Sequence, residues 1–376
     1  MKTPMPDDRI SAFSLTEQVA ALRPELFDAW NRVLDSGQYI LGPEVDAFEK
    51  ELQSLLGVPA VGVANGSDAL LLALQALQIG PGDEVVTTPF TFFATAGSIA
   101  RLGAVPVFAD VDPQTFNVDP EQALSRVAPR TRAILPVHLF GLMADTLRLV
   151  EGFAGPVVED AAQAILGSQE GRLAGTVGDV GCFSLYPTKN LGAFGDGGFV
   201  TSRRPELSDA IRRLRVHGAT AKYYHVELGM NSRLDALQAA FLRVKLRHLQ
   251  DWTDKRVALA DRYRAGLAAH GLQDRVRPQM VPPGFSAVFH QFTVRAERRD
   301  ALRERLLAHG IGSTVYYPHP LHLLPAFSHL GYREGSLPVA EELCREALSL
   351  PLYPELRFEQ VDRVVDVMAA FYRGTA

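Results

Sequence analysis

From Val61 onward the chain alternates short apolar runs with longer segments of helical spacing. Val61 to Ala64 predicts a strand, Ala69 to Leu77 a helix, and Gly80-Pro81-Gly82-Asp83 a turn. The cycle repeats with a strand at Val85 to Thr88, a helix at Phe93 to Leu102 and a strand at Val105 to Val111. Further strands are expected at Ala133 to Val137, Val157 to Asp160 and Gly181 to Tyr186. Apolar strands separated by helices of roughly ten residues argue for βαβ units and a mostly parallel sheet covered on both faces. Residues 1–245 therefore read as one large α/β domain.

The texture changes after Leu246. Trp252 to Ala269 predicts a long, charged amphipathic helix, and Ala287 to Val294 a strand. A helix at Arg298 to His309 should stop at Gly310, and a strand should follow at Ser313 to Tyr317. Leu337 to Leu348 reads as a helix, with Ser336 as its N-cap and Pro338 in the first turn. Glu359 to Tyr372 is the last, with Val361, Val365, Met368 and Phe371 at core spacing. Residues 246–376 thus predict a smaller α/β domain, and the cleft between the two is the natural place for a ligand.

Composition narrows the function classes. A chain of 376 residues, 47% hydrophobic and 22% charged, is an ordinary globular one with room for two domains. Its net charge of −5 offers no basic footprint for nucleic acid. Two distant cysteines, Cys182 and Cys344, suit a reducing compartment rather than a disulfide framework. Met1 to Glu17 holds no apolar core of a secretory signal, and Ala69 to Leu77 is too short to span a bilayer. The expected location is the cytoplasm, with no membrane partner.

Four segments carry candidate chemistry. Lys189 follows the strand that ends in Ser184-Leu185-Tyr186-Pro187, flanked by almost no other charge, with only Asp196 acidic nearby. A surface lysine is solvated, but a desolvated one loses basicity and becomes a nucleophile toward a carbonyl. Upstream, Val157-Val158 runs into Glu159-Asp160-Ala161-Ala162-Gln163. An acid at the end of a parallel strand either caps the following turn or faces the ligand crevice. There it could pair with a cationic ring nitrogen, a contact of about 4 kcal/mol at ~4 Å and an effective dielectric near ~20. Asn65-Gly66-Ser67-Asp68 joins a strand to a helix, where free N–H groups suit phosphate; Asp68 is expected to turn away and cap the backbone. Pro89-Phe90-Thr91-Phe92-Phe93 is core-like, yet one ring at a strand end could stack on a planar ligand. No Gly-x-Gly-x-x-Gly follows an early strand and no Walker-type lysine is present. A lysine, an acid, a phosphate turn and a stacking ring are together what pyridoxal phosphate requires.

Those motifs resemble the DegT/StrS-type family of sugar-nucleotide aminotransferases, which have the aspartate-aminotransferase fold. The likeness begins with Tyr39-Ile40-Leu41-Gly42-Pro43 and Gly66-Ser67-Asp68-Ala69-Leu70. It continues through Glu159-Asp160-Ala161-Ala162-Gln163, Ser184 to Gly192 and Asn231-Ser232-Arg233-Leu234-Asp235, and closes at Leu348-Ser349-Leu350-Pro351-Leu352. The resemblance implies that Lys189 bonds the cofactor aldehyde, Asp160 pairs with the pyridine nitrogen and Gln163 reaches the ring hydroxyl. It implies that Phe92 stacks on the ring, that Gly66 and Ser67 donate backbone N–H groups to the phosphate, and that Ser184 adds its hydroxyl. Asn231 by resemblance reaches the phosphate held by a neighbouring subunit, which implies a homodimer with shared active sites. Ser67 replaces the usual threonine, and Ile165-Leu166 stands where the family often has His-Gly.

The implied reaction moves an amino group from a donor, by resemblance glutamate, to a keto sugar linked to a nucleotide. The Asn231-Ser232-Arg233 form resembles members acting at C3, so C3 is favoured over C4. Tyr316-Tyr317-Pro318-His319-Pro320-Leu321-His322 is not read as a metal pair, for its backbone is proline-rich and it has no nearby carboxylate; by resemblance this loop approaches the substrate side of the cleft. His217-Gly218 and Tyr223-Tyr224-His225 either line the sugar-nucleotide site or pack as ordinary loops. Two alternatives keep the fold. One is a sugar dehydratase, against which Lys189 argues because that branch has histidine there. The other is a non-catalytic regulator that binds pyridoxal phosphate or a sugar nucleotide.

Overall fold

The alternating apolar runs assemble into one twisted sheet in the computed structural model, which describes residues 9–374. The reading of the amino terminus rests partly on residues 1–8, which lie outside the described residues. The strands are β1 (Ala60–Val63), β2 (Glu84–Thr87), β3 (Val105–Phe108), β4 (Thr131–Leu135), β5 (Val158–Asp160), β6 (Val180–Ser184) and β7 (Gly198–Ser202). Parallel bridges Ile134 to Val157 and Val137 to Asp160 join β4 to β5, so the order is β3-β2-β4-β5-β6-β7-β1. All neighbours are parallel except that β7 runs against both β6 and β1. The expected α/β class with a mostly parallel sheet is the observed one, with β7 an antiparallel strand that the apolar pattern did not single out.

Helices cover the sheet: α1 (Thr16–Ser36), α2 (Pro43–Leu56), α3 (Gly66–Ala76), α4 (Ala94–Arg101), α5 (Pro205–Leu214) and α6 (Ala236–Leu246). α3 starts where Asn65 Oδ1 accepts the N–H of Asp68 at 2.8 Å, so Asn65 and not Asp68 is the cap. The first two helices were not expected, although their buried residues follow helical spacing: Leu22, Leu26, Ala29 and Val33 on α1, and Val45, Phe48, Leu52 and Leu56 on α2.

The remaining chain folds as α7 (Leu249–Ala269), β8 (Val276–Pro278), β9 (Phe292–Ala296), α8 (Arg299–Ala308), α9 (Pro338–Glu346), β10 (Ala347–Leu350) and α10 (Phe358–Arg373). Strands β8, β9 and β10 form an antiparallel sheet in the order β8-β9-β10, while the short strand Phe285–Ser286 pairs with Ser168–Gln169. Gly310 follows α8 with φ +74°, as expected of a residue that closes a helix. Three local expectations are corrected. The strand placed at Ala287 begins only at Phe292, because the stretch before it is tied elsewhere: Val288 bonds Gly141 through its N–H and Asn190 through its carbonyl. Ser313 to Tyr317 is not a strand; Thr314 alone bridges Ser349. The helix expected to reach Leu348 stops at Glu346, and Ala347–Leu350 becomes β10, buried along its whole length with Ser349 Oγ 2.7 Å from Thr293 Oγ1. Ser336 does not cap α9. Its Oγ accepts from Arg333, while the Asp110 carboxylate takes the N–H groups of Val339 and Ala340 at 3.0 and 2.9 Å.

Ile10, early in the described chain, pairs with Ile311 and packs in the core formed by Leu302, Leu306 and Val365. The amino-terminal stretch is thus built into the C-terminal core, which the expected division at 245/246 does not anticipate.

Candidate active site

The C-terminal ends of β5 and β6 and the N-terminus of α3 face one cavity of about 510 Å3. Its wall includes Gly66, Ser67, Phe92, Asp160, Gln163, Ser184 and Lys189 from the large sheet's side. His290, Gln291, Tyr316 and Tyr317 close it from the C-terminal part. Seven of the eight residues singled out from sequence therefore meet at one place. The eighth, Asn231, is exposed and lies outside this cavity, bridged to Val216. His217, Tyr223, Tyr224 and His225 also lie outside it, around an exposed two-stranded hairpin.

Lys189 rides on a braced loop. Its N–H donates to Tyr186 O at 2.8 Å, and Ala193 N–H returns to Leu185 O at 2.7 Å. A Cβ at Gly192 would lie 2.3 Å from Pro187 O, so only glycine lets the loop curl this tightly. Lys245 of α6, buried, donates through Nζ to Gly192 O at 2.5 Å. Gln238 Oε1 takes the N–H of Phe194 at 2.8 Å. Sequence reasoning missed Lys245; its one signal is a lysine inside the apolar run of α6.

Strand alternation separates the paired carboxylates. Asp160 turns to the cavity, where Oδ2 accepts from Thr95 Oγ1 at 2.8 Å and Oδ1 from Ala162 N–H at 3.2 Å. Glu159 turns the other way, toward His138 Nε2 at 2.8 Å and the N–H groups of Gly175, Val177 and Gly178 at 3.0, 2.8 and 2.7 Å. It is a buried anchor of β5, not a site residue.

Burial governs the titrating groups. Desolvation lowers the Lys189 amine from 10.5 to about 8, against the opposing pull of Asp160. Burial raises Asp160, while Thr95, the Ala162 N–H, Lys189 and His138 act to lower it. Tyr317 is raised by burial, with its hydrogen bond to Gln163 opposing. Gln163 holds that hydroxyl through Nε2 at 3.2 Å and takes the Phe140 N–H on Oε1 at 2.6 Å.

These residues fit pyridoxal phosphate. At the start of α3 the N–H groups of Gly66 and Ser67 have no acceptor among the described residues, and both residues line the cavity. Such a pair at a helix N-terminus is an anion cradle. A Cβ on Gly66 would lie 2.6 Å from Ser184 Cβ, so the glycine keeps the cradle against β6. Phe92, 59% exposed, offers an open ring face at the cavity wall. Among the described residues no group of three or more His, Cys, Asp or Glu could hold a metal. His322 is instead buried against Glu341 at 3.2 Å. Among the described residues no helix is long and apolar enough to cross a membrane.

Comparison with known proteins agrees with this geometry. The chain is 48% identical over 98% of its length to a "pleiotropic regulatory protein" of Geobacillus stearothermophilus, of which it covers 100%. It is 46% identical to the dTDP-3-amino-3,4,6-trideoxy-alpha-D-glucose transaminase of Streptomyces venezuelae, across 96% of this chain and 95% of that one. Among solved structures, DesV of S. venezuelae superposes with a TM-score of 0.94 at 44% identity, covering 96% of this chain and 98% of DesV. NtdA of Bacillus subtilis, solved with bound cofactor PMP, superposes at 0.86 with 30% identity, covering 98% and 84%. The model of the DegT/DnrJ/EryC1/StrS aminotransferase family matches residues 21–369. The chain belongs to that family of pyridoxal-phosphate-dependent aminotransferases.

Proposed function

We propose that this aminotransferase moves an amino group from glutamate to C3 of a keto sugar linked to a nucleotide. The observation that carries the chemistry is the meeting, in one cavity, of a weakly basic lysine, a fixed carboxylate and an unpaired helix N-terminus. When bound, pyridoxal phosphate supplies an aldehyde carbon and a ring that accepts electrons. Lys189 Nζ, its basicity lowered by burial, would hold that aldehyde and, when free, would take the proton from the donor Cα. Asp160, pinned by Thr95, would hold a proton on the ring nitrogen. The N–H groups of Gly66 and Ser67, with the Ser184 hydroxyl, would bind the phosphate, and Phe92 would stack on the ring. Gln163, fixed by Phe140 and Tyr317, would serve the ring hydroxyl.

The relatives and one motif support this choice of substrate class and position. The Streptomyces transaminase is named for a product aminated at position 3 of a dTDP sugar, and the Asn231-Ser232-Arg233 form agrees with C3. A second copy of the chain supplies Asn231. α1 leaves Phe27, Trp30 and Leu34 exposed, and Tyr39 and Ile40 beside it are exposed as well. Ile40 bridges Asp235, so this apolar surface is continuous with the segment bearing Asn231. The Geobacillus relative's name favours a second reading, a regulator that binds the cofactor without turnover.

One experiment separates them. The purified protein is given pyridoxal phosphate, L-glutamate and either a nucleotide-linked 3-keto sugar or its 4-keto isomer, and products are read by mass spectrometry. Amine formed from the 3-keto sugar supports the proposal. Amine from the 4-keto sugar alone overturns the position, and no amine from either overturns the activity in favour of the regulator.

A further inference from the structure

His290 lines the same cavity, is 5% exposed, and has an Nδ1 with no hydrogen-bond partner. A buried polar atom without a partner is costly and asks for an explanation. The segment that carries it is fastened on several sides. Val288 N–H donates to Gly141 O at 2.9 Å, and Asn190, the residue after Lys189, donates to Val288 O at 3.0 Å. Gln291 N–H reaches Phe140 O at 3.4 Å, and Arg256 of α7 donates to Phe289 O at 3.3 Å. Two of these ties bracket His290, and the Asn190 bond links its segment directly to the lysine loop. The backbone on both sides of His290 is thus fixed, and its imidazole lines the same cavity as Lys189 with unused hydrogen-bonding capacity.

The charges around it decide which form it takes. Burial first, then Lys189 from the loop after β6 and Arg256 from α7, push His290 well below its ordinary value. Asp160 faces Lys189 from the end of β5, and Glu355 faces Arg256. His290 is therefore neutral, and a neutral imidazole always keeps one bare ring nitrogen able to accept a hydrogen bond.

We propose that the His290 imidazole accepts a hydrogen bond from the Lys189 ammonium and so acts as a positioning residue for it. The inference rests on the reading of Lys189 given above. When the donor's Cα–H bond breaks, its electron pair stays on the donor side and an N–H bond forms on Nζ. The resulting ammonium sits in a desolvated cavity where Asp160 is committed to the ring nitrogen. His290 orients that ammonium without taking its proton, which remains on Nζ for delivery to the second carbon.

The test compares the wild type with His290→Leu, His290→Asn and His290→Gln in the cofactor-free protein. Acetic anhydride labels Lys189 across a pH series, and mass spectrometry gives the midpoint of its titration. Loss of the acceptor should lower that midpoint by about one pH unit in His290→Leu. At least one of the two amides, which keep an acceptor oxygen, should hold it near the wild-type value. In the loaded enzyme, His290→Leu should lower kcat about tenfold with little change in the KM for glutamate, and should enlarge the isotope effect of Cα-deuterated glutamate. An unchanged midpoint in His290→Leu overturns the proposal, and so does an equal fall in all three variants. The labelling does not depend on turnover. A shifted midpoint in a protein that does not transaminate therefore leaves the contact standing while the activity fails.

Discussion

At the scale of single residues, the site depends on where burial and strand alternation put each group. Glu159 and Asp160 are neighbours of like charge, yet they end in opposite surroundings, one in a closed backbone cage and one at the ligand cavity. Replacing Asp160 by Asn keeps the Thr95 and Ala162 contacts but removes the charge that holds the ring proton. A contact of about 4 kcal/mol corresponds to roughly a thousandfold in rate, and we expect kcat to fall by that order while Tm hardly moves. Steady-state kinetics with thermal unfolding checks both parts; an Asn variant within tenfold of wild type contradicts the role. Gly66→Ala introduces a Cβ 2.6 Å from Ser184 Cβ and should weaken pyridoxal-phosphate binding at least ~10-fold, as read by fluorescence titration. At this scale much was legible. A lysine with almost no other charge around it and an acid ending an apolar run are local signals. Lys245 and His290 were not legible, because what they touch is decided by elements far away in the chain. The capping role of Asn65 was missed for a smaller reason, since either Asn65 or Asp68 has a suitable side chain and only the turn geometry chooses.

At the scale of elements, α6 and the Lys189 loop form one unit through Lys245. Burial lowers the Lys245 amine to about 8, with Glu355 opposing, and Nζ lies 5.0 Å from the centre of the Phe194 ring. The folded state therefore binds this proton less well than the unfolded chain does. Between about pH 8 and 10.5 the unfolded chain holds the extra proton, so this group's contribution to stability is unfavourable at low pH and improves as pH rises. Lys245→Met has no such proton. Urea unfolding of the cofactor-free proteins should show wild type gaining on the variant by about 2 kcal/mol between roughly pH 7.5 and 10. Parallel stability curves would contradict the buried charge. The strands of the large sheet other than β7 were readable because each is an apolar run bounded by turn residues. Helix α9 was read too long for a related reason: Ala347–Leu350 is apolar enough for either element, and pairing with β9 settles it.

At the scale of the whole molecule, the single chain presents Trp30, Leu34, Tyr39 and Ile40 to solvent next to the Asn231 segment. We propose that a second copy of the chain covers that surface. Lys189→Ala and Asn231→Ala should each be inactive alone. Mixing them after reversible dissociation should restore about a quarter of the wild-type activity, because half the dimers are mixed and each mixed dimer holds one intact site. No recovery contradicts shared sites. The fold class was visible in the sequence. The reversed strand β7 was not, since strand direction leaves no mark on a short apolar run such as Gly198–Ser202. Nor was the return of Ile10 to the C-terminal core, which depends on a pairing with Ile311 across most of the chain.

The central claim is that Lys189 and Asp160 work together in amino transfer, and the visible spectrum tests it most directly. The purified protein is loaded with pyridoxal phosphate, its absorption is recorded, and L-glutamate is added. We predict a visible band for the lysine-bound cofactor that fades on addition, with one equivalent of 2-oxoglutarate and pyridoxamine phosphate per site, and no such band in Lys189→Ala. A wild-type protein that shows no band with excess cofactor, or a band that glutamate leaves unchanged while no 2-oxoglutarate forms, contradicts the account.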